Sequence, residues 1–422
     1  MFLHLKLSSS KTSIARLEKW ALNFFCLSTL FVIFFSVEAI HAWPSLIEKA
    51  SILLACLLPV GMIIYPKISE WIYAKRVPKE IIWVVVIVVL GLTSSLLSET
   101  PWGSVKSFIL FIISGPVILI ATMYLFESKD NQSIFLWMMS IGMFVLVLTG
   151  IYEYNFNDSI SLFSANPLPA GALLVLFFAS PLILLSRKHS VALKFLLTIG
   201  VIFSVVLIIL LAQKGPILAL VIILLSVVIF ISSKYLKLIF GAIFLIGCLL
   251  YSSYLVLSEY KGFVLSKNSK ASVALRVENY FFGFYIFKEN PIWGIGNDAH
   301  LEEFLIGYKL KFFDYGEAPY PEYIQYIKVL NALENTVLTA LVERGSLFTV
   351  TYFGGLLYIL LVCLKQLRSV PNNMAGLFLV SIIVGFAVIL LLFDTLRFPN
   401  LNWVFHSLLG LLVNISNNQP TT

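Results

Sequence analysis

Residues 193–233 read LKFLLTIGVIFSVVLIILLAQKGPILALVIILLSVVIFISS, two long apolar runs separated only by Gln213-Lys214-Gly215-Pro216. A helix needs about 20 apolar residues to cross a lipid bilayer. The runs at 193–213 and 215–233 have that length, and the residues between them leave room only for a tight break. The stretch therefore predicts two transmembrane helices in direct succession.

The rest of the chain has the same character. Of its 422 residues, 59% are hydrophobic and 12% are charged, whereas soluble domains contain about 25% charged residues. We therefore predict an all-α polytopic membrane protein with about 12 transmembrane helices. The predicted spans lie near residues 20–40, 48–66, 80–98, 106–126, 133–153, 168–186, 193–213, 215–233, 236–257, 345–364, 374–393 and 403–416.

The short loops between these spans differ in basic charge. Those on one side of the predicted membrane, together with the N-terminus, carry sixteen Lys or Arg residues, against four on the other side. Because Lys and Arg accumulate in cytoplasmic loops, both the N- and C-termini are predicted to be cytoplasmic. The net charge of +7 fits loops that face anionic lipid and does not indicate nucleic-acid binding.

One segment, residues 258–334, is too polar to be part of a span. It contains eight Lys or Arg and ten Asp or Glu residues, and the orientation places it on the non-cytoplasmic side. Loops of this length usually have a function. Three regions are predicted: spans 1–9 in residues 1–257, an outer loop with amphipathic helices that acts as a catalytic lid in 258–344, and spans 10–12 with a short C-terminal tail in 345–422.

Cysteine and histidine offer little for a metal site. The four cysteines lie within apolar runs without short paired spacing, and there are five histidines. We therefore predict neither a disulfide framework nor a metal site, and no cofactor. His300 of the outer loop has no spacing that ties it to a site and is predicted to be an ordinary loop residue.

Lys214 lies at the break between the two apolar runs, on the predicted outer side. A cation in this position can hold a phosphate as a point charge. It can equally end a span as a lysine whose ammonium group reaches the membrane surface. Position alone leaves both interpretations open.

The outer loop is predicted to contain a helix at residues 272–288. Arg276, Tyr280 and Gly283 fall on one face of it. Gly283 would let that face approach another backbone or a ligand closely, and an arginine fork matches the geometry of a phosphate. The alternative is a surface ion pair between Arg276 and a loop carboxylate such as Glu278 or Glu289.

Residues 331–345, NALENTVLTALVERG, are predicted to form an amphipathic helix that leads into the tenth span. Glu334 follows Asn331 by three residues, the spacing of a capping box, in which Glu334 would only stabilise the start of the helix. The alternative is that Glu334 is a general base beside the bilayer surface, close to Lys214 and Arg276. Both alternatives remain open.

Asp394 and Arg397 lie between the last two spans, on the same outer side. Their separation of three residues allows them to pair with each other. They can equally line one vestibule together, because charged groups at the mouth of a membrane cavity serve either purpose.

In their order and sidedness, these landmarks resemble the O-antigen ligase and O-antigen polymerase superfamily of bacterial envelope glycosyltransferases. The resemblance covers the chain from about the fifth span onward. Family members have a basic residue in a short outer turn, here Lys214, and a large outer loop near the C-terminus. That loop opens with an arginine helix and Asn-Pro-x-x-Gly-x-Gly, here Arg276 and residues 290–296. It closes with His-Asn and Glu-x-Gly, here Glu334-Asn335 and Glu343-Arg344-Gly345.

Two residues depart from the family pattern. Lys214 stands in place of an arginine and keeps the charge without the bidentate fork. Glu334 stands in place of the histidine that is the proposed base in ligases. A glutamate can also accept a proton, or the base lies elsewhere in this chain.

The resemblance implies a reaction at the periplasmic face of the bacterial inner membrane. A glycan on undecaprenyl pyrophosphate is transferred to an acceptor hydroxyl, and no metal is required. It implies that Glu334 and Arg276 are catalytic. The pyrophosphate and glycan would be bound by Lys214 and Arg276 with Asn335, which would orient the base or the sugar, and Arg397.

The acceptor distinguishes the members of the superfamily. A ligase transfers the glycan to lipid A–core in lipopolysaccharide biosynthesis, and a polymerase transfers it to a second lipid-linked repeat unit of O-antigen or exopolysaccharide. We place ligation ahead of polymerisation. A 12-span transporter or flippase is the alternative from another class, but the halves of the chain show no internal repeat and the spans contain few charges.

Overall fold

The computed structural model of the protein describes residues 19–30, 32, 79–156, 167–211, 213–230, 265–297, 299–306, 308, 327, 333–368 and 373–417. Within these ranges every regular element is a helix and none is a strand. Seven of the helical segments are long and apolar enough to cross a membrane. The described chain is thus all-helical, with several candidate spans, as predicted. The spans predicted at 48–66 and 236–257 lie outside the described residues.

The helices are labelled in chain order. Helix α1 covers 19–30. The others are α2 Lys79–Leu96, α3 Pro101–Ser114, α4 Pro116–Leu125, α5 Lys129–Phe156, α6 Pro167–Phe177, α7 Ala179–Ser186, α8 Val191–Leu210, α9 Lys214–Phe230, α10 Leu265–Phe287, α11 Thr336–Arg368, α12 Met374–Leu392 and α13 Pro399–Asn417, with a 3-10 helix at Leu301–Leu305. The span predicted at 168–186 is divided between α6 and α7.

The span predicted at 106–126 is also broken, between α3 and α4. Pro116 has no N–H group to continue the helical hydrogen bonds, and Gly115 leaves helical geometry with φ −125° and ψ −95°. Beside the break, the carbonyl of Phe111 accepts a hydrogen bond from Asn402 Nδ2 at 2.9 Å. Backbone groups freed inside a membrane bundle need such a partner.

Helix α13 lies in the interior of the bundle. It is buried along almost its whole length and packs chiefly on α4. Two of its polar side chains are paired with other helices: Asn414 Nδ2 donates to Thr122 O at 3.1 Å, and His406 Nε2 lies 3.0 Å from the Tyr352 hydroxyl. These bonds connect α13 to α4 and α11, because buried polar groups must be satisfied within the protein.

The outer loop has a small hydrophobic core of its own. Its buried members lie in α10, in the turn after it, in the 3-10 helix, between the 3-10 helix and α11, and at the start of α11: Phe282, Ile286, Ile295, Leu301, Leu305, Tyr308, Ile327, Leu333, Leu338 and Val342. We call this packed unit, within the predicted region 258–344, the lid. Helix α11 passes from the lid into a candidate span and changes direction at Gly345, where φ is 76° and ψ is 176°.

Candidate active site

The turn after α10 docks against the direction change in α11. We call these two segments, residues 290–297 and 342–346, the clasp. Three backbone hydrogen bonds join them: Ile295 N to Val342 O at 2.9 Å, Gly296 N to Glu343 O at 2.8 Å and Ser346 N to Pro291 O at 2.9 Å. The clasp therefore connects the base of the lid to a membrane helix through main-chain atoms.

The two segments of the clasp approach so closely that glycine is required. Gly345 has φ 76°, and a Cβ atom there would lie 2.0 Å from Ile292 O. Gly294 has φ 72°, and a Cβ atom there would lie 2.5 Å from Glu343 O. Only glycine adopts this backbone conformation without strain. The Asn-Pro-x-x-Gly-x-Gly and Glu-x-Gly stretches are therefore the two halves of one contact.

Arg344 ties the clasp to the membrane bundle. Its guanidinium carbon lies 4.0 Å from the centre of the Phe111 ring and 5.1 Å from that of Phe348. Its Nε donates to Asn297 Oδ1 at 2.9 Å. A cation over an aromatic face is stabilised most when water is excluded. Sequence reasoning missed Arg344, although its position inside the Glu-x-Gly stretch beside an apolar helix was an available signal.

Helix α10 presents its predicted face to the start of α11. Arg276 Nε lies 3.4 Å from Glu334 Oε2, and both side chains are about a quarter exposed. A Cβ atom on Gly283 would lie 2.8 Å from the Leu338 side chain, so the absence of a side chain permits this approach. Arg276 thus pairs with Glu334, and the buried Glu278 accepts a hydrogen bond from the Tyr308 hydroxyl at 2.6 Å. The structure brings the two ends of the lid together.

Glu334 lies just outside α11. The helix begins at Thr336 and is capped by Asn335, whose Oδ1 accepts from Leu338 N at 2.8 Å. The capping-box alternative, which requires Glu334 in the first turn of the helix, is therefore wrong; Asn331 itself lies outside the described residues. Glu334 has φ 50°, a conformation that costs a residue other than glycine about 1–2 kcal/mol. Such strain is concentrated at functional sites.

Asn335 was not predicted to be the cap, although Asn is among the preferred N-cap residues; its other contacts are distant in the chain. Its Nδ2 donates to Leu391 O at 2.6 Å and to the Tyr280 hydroxyl at 2.7 Å. The neighbouring Thr336 Oγ1 donates to Phe393 O at 2.9 Å. These bonds hold the segment that carries Glu334 against the end of α12.

Lys214 approaches the end of α12 from α9, of which it is the first residue, and it is exposed. Helix α9 packs along α12. A Cβ atom on Gly215 would lie 3.9 Å from Leu392 Cδ1, next to the Leu391 carbonyl that holds Asn335. The end of α12 therefore links the start of α9 to the segment that carries Glu334.

The loop between α12 and α13 adds the last two predicted residues. Asp394 is buried and Arg397 is exposed. Burial raises the pKa of the Asp394 carboxyl, while the charges of Arg397 and Arg344 oppose that shift. The pair is thus electrostatically coupled, and Arg397 is the member that is open to solvent.

His300 is exposed and immediately precedes the 3-10 helix. In the described part of the chain, no group of three or more His, Cys, Asp or Glu side chains is placed to hold a metal ion. The residues predicted for the site and described by the structure are Lys214, the Arg276–Glu334 pair, Asn335 and Arg397.

One comparison with known proteins covers the segment that contains most of these residues. Residues 199–353 match the model of a family described as O-Antigen ligase. The match begins in α8, includes Lys214 and the Arg276–Glu334 pair, and ends beyond Gly345 in α11. No curated protein matches the chain. Residues 199–353 are therefore similar to the O-antigen ligase family, in agreement with the resemblance of the sequence to the O-antigen ligase and O-antigen polymerase superfamily.

Proposed function

We propose that the protein is a glycosyltransferase of the bacterial inner membrane that transfers a glycan from undecaprenyl pyrophosphate to an acceptor hydroxyl. We further propose that it ligates O-antigen to lipid A–core in lipopolysaccharide biosynthesis. The observation that carries this proposal is the Arg276–Glu334 pair, at 3.4 Å, held where the lid meets the end of α12. The pair lies inside the region that matches the O-antigen ligase family.

The proposal includes a membrane arrangement. The chain has twelve spans with both termini in the cytoplasm, and residues 258–344 form a periplasmic catalytic lid between 1–257 and 345–422. The uneven distribution of Lys and Arg supports this sidedness. The change of direction at Gly345 supports a boundary there between lid and span.

In the proposed reaction, an acceptor hydroxyl attacks the anomeric carbon of the first sugar. A glycosidic bond forms while the bond from that carbon to the pyrophosphate oxygen breaks, and the bonding electron pair leaves with lipid pyrophosphate. Fixed cations act most strongly where negative charge develops. Lys214 and Arg276 are the proposed cations, and Glu334 takes the proton of the acceptor hydroxyl.

The contacts assign separate roles to the remaining residues. The Oδ1 of Asn335 caps α11 and its Nδ2 is bonded to Leu391 and Tyr280. Its amide is thus occupied within the protein, and we assign it the role of positioning Glu334 and not of touching the sugar. The exposed Arg397 is proposed to bind the pyrophosphate or the glycan from the opposite loop.

Replacing Glu334 tests the proposed base. We expect Glu334→Gln to lower the transfer rate by about 10²–10⁴-fold, because general-base catalysis contributes an effect of that size. Glu334→His is expected to retain much more activity, because imidazole is also a base near neutral pH. Initial rates of transfer by purified protein from lipid-linked oligosaccharide measure the difference.

Glu334→Asn is the matched control for backbone strain. Asparagine tolerates the positive φ of this position but has no carboxylate, so it should be as inactive as Glu334→Gln while remaining equally well folded. Full activity in both amide variants would show that Glu334 is not the base.

Repeat-unit polymerisation is the second candidate, and Glu334 itself favours it. Ligases of the superfamily have a histidine where this chain has Glu334. The two reactions use the same donor and leaving group and differ only in the acceptor. A polymerase would therefore use the same site with a second lipid-linked glycan in place of lipid A–core.

A further inference from the structure

Helix α10 has three sides. One side faces the core of the lid and carries Phe282 and Ile286, which are fully buried. The second faces α11 and carries Arg276 and Gly283. The third side is exposed and apolar. Its aromatic members are Phe281, Phe284 and, at the border with the second side, Tyr280, which are 40%, 51% and 39% exposed.

The three exposed aromatic residues of α10 form one continuous surface. Tyr280, Phe281 and Phe284 lie within one arc of the helix, since residues three and four apart share a face. Large apolar patches exposed on a protein mark a surface that binds a partner or a membrane. We call these three residues the aromatic stripe.

The aromatic stripe is continuous with the membrane-facing surface of the bundle. The Tyr280 hydroxyl donates to Leu391 O at 3.2 Å. Leu391 lies at the end of α12, a candidate membrane span, and its side chain is 51% exposed. The hydrogen bond therefore places the stripe at the level where a membrane helix ends.

Basic residues flank the stripe. Arg276 precedes Tyr280 by one helical turn, and the exposed Lys288 follows Phe284 by one turn. Aromatic rings with lysine and arginine beside them are the pattern of a helix that lies in the plane of a membrane surface. In such a helix, the aromatic rings contact the acyl boundary while the cations reach phosphate headgroups.

We propose that α10 is an interfacial helix whose aromatic stripe lies in the outer headgroup–acyl boundary of the bilayer, with phospholipid as its partner. A sugar surface is less compatible with these residues, because Phe281 and Phe284 offer no hydrogen-bonding edge and the Tyr280 hydroxyl is bonded to Leu391. The contact fixes the height of Arg276 above the membrane. It is independent of which reaction the protein catalyses.

Spin labels can measure the depth of the stripe directly. The four native cysteines are replaced by alanine, and single cysteines at 281, 284 and 302 carry a nitroxide in vesicles of phosphatidylethanolamine and phosphatidylglycerol. Collisions with oxygen, which concentrates in the bilayer, are compared with collisions with a water-soluble nickel chelate. Glu302 is exposed elsewhere on the lid and serves as the matched control.

The labels at 281 and 284 are expected to show an oxygen-to-nickel collision ratio several-fold higher than the label at 302. Equal ratios at all three positions would overturn the proposal. A low ratio at 281 and 284 that changes only when a soluble oligosaccharide is added would also overturn it, since the stripe would then be a sugar platform. Two positions on the stripe are labelled so that the depth can still be measured if one variant misfolds.

Discussion

Replacing Arg276 with glutamine is expected to lower the rate of glycan transfer by about 10²–10³-fold, the usual effect of removing one group that stabilises developing charge. The guanidinium lies 3.4 Å from the Glu334 carboxylate. Its loss therefore removes a cation for the leaving pyrophosphate and also the partner that orients the proposed base. Initial rates with purified protein and lipid-linked oligosaccharide measure the effect.

Matched variants separate this effect from a general loss of charge. Lys214→Gln should also reduce transfer strongly, and Arg276→Lys should restore part of the rate because it retains a point charge without the fork. Lys288→Gln, on the same helix and exposed, should transfer at the normal rate in detergent. Full activity of both Arg276→Gln and Lys214→Gln would exclude the proposed electrostatic mechanism.

Replacing Gly345 with alanine is expected to lower the free energy of unfolding by at least about 2 kcal/mol, from backbone strain and a weakened hydrogen bond. Gly345 has φ 76°, and an added Cβ would lie 2.0 Å from Ile292 O. The atoms nearest to that Cβ, Ile292 O, Ile292 C and Trp293 N, all belong to the main chain. The clasp must therefore open to accommodate the methyl group. The bond from Ser346 N to Pro291 O is the nearest one at risk.

Gly354 provides the control on the same helix. A Cβ atom there would meet nothing within 4 Å. Gly354→Ala should therefore leave stability unchanged or raise it by up to about 1 kcal/mol, the helix preference of alanine over glycine. Denaturant titration in detergent micelles compares the two. Equal stability of the two variants would mean that the clasp does not need a glycine at position 345.

Local sequence patterns predicted the parts of the site that depend on helical spacing. The helical class follows from apolar run length, and the shared face of Arg276, Tyr280 and Gly283 follows from the helical repeat. All three residues contact the 334–338 segment. The helical spacing alone could not predict that Arg276 pairs with Glu334, because the two residues are 58 positions apart in the chain.

The features that were missed depend on contacts between distant segments. Asn335 caps α11 while its amide nitrogen is held by Leu391, so tertiary bonds determined the start of the helix, and the predicted capping box failed. Arg344 was overlooked because its aromatic partner, Phe111, belongs to a helix far away in the chain. The break before Pro116 was missed because the span was predicted from the length of the apolar run, which a single proline does not interrupt.

The most direct test of the account uses purified protein in detergent with lipid-linked oligosaccharide, with lipid A–core in one reaction and no second acceptor in another. We expect glycan-bearing lipid A–core and released undecaprenyl pyrophosphate in the first reaction, and no product in the second. Repeat-unit polymers without lipid A–core would instead identify a polymerase. The central claim would be contradicted if neither reaction formed a glycosidic bond.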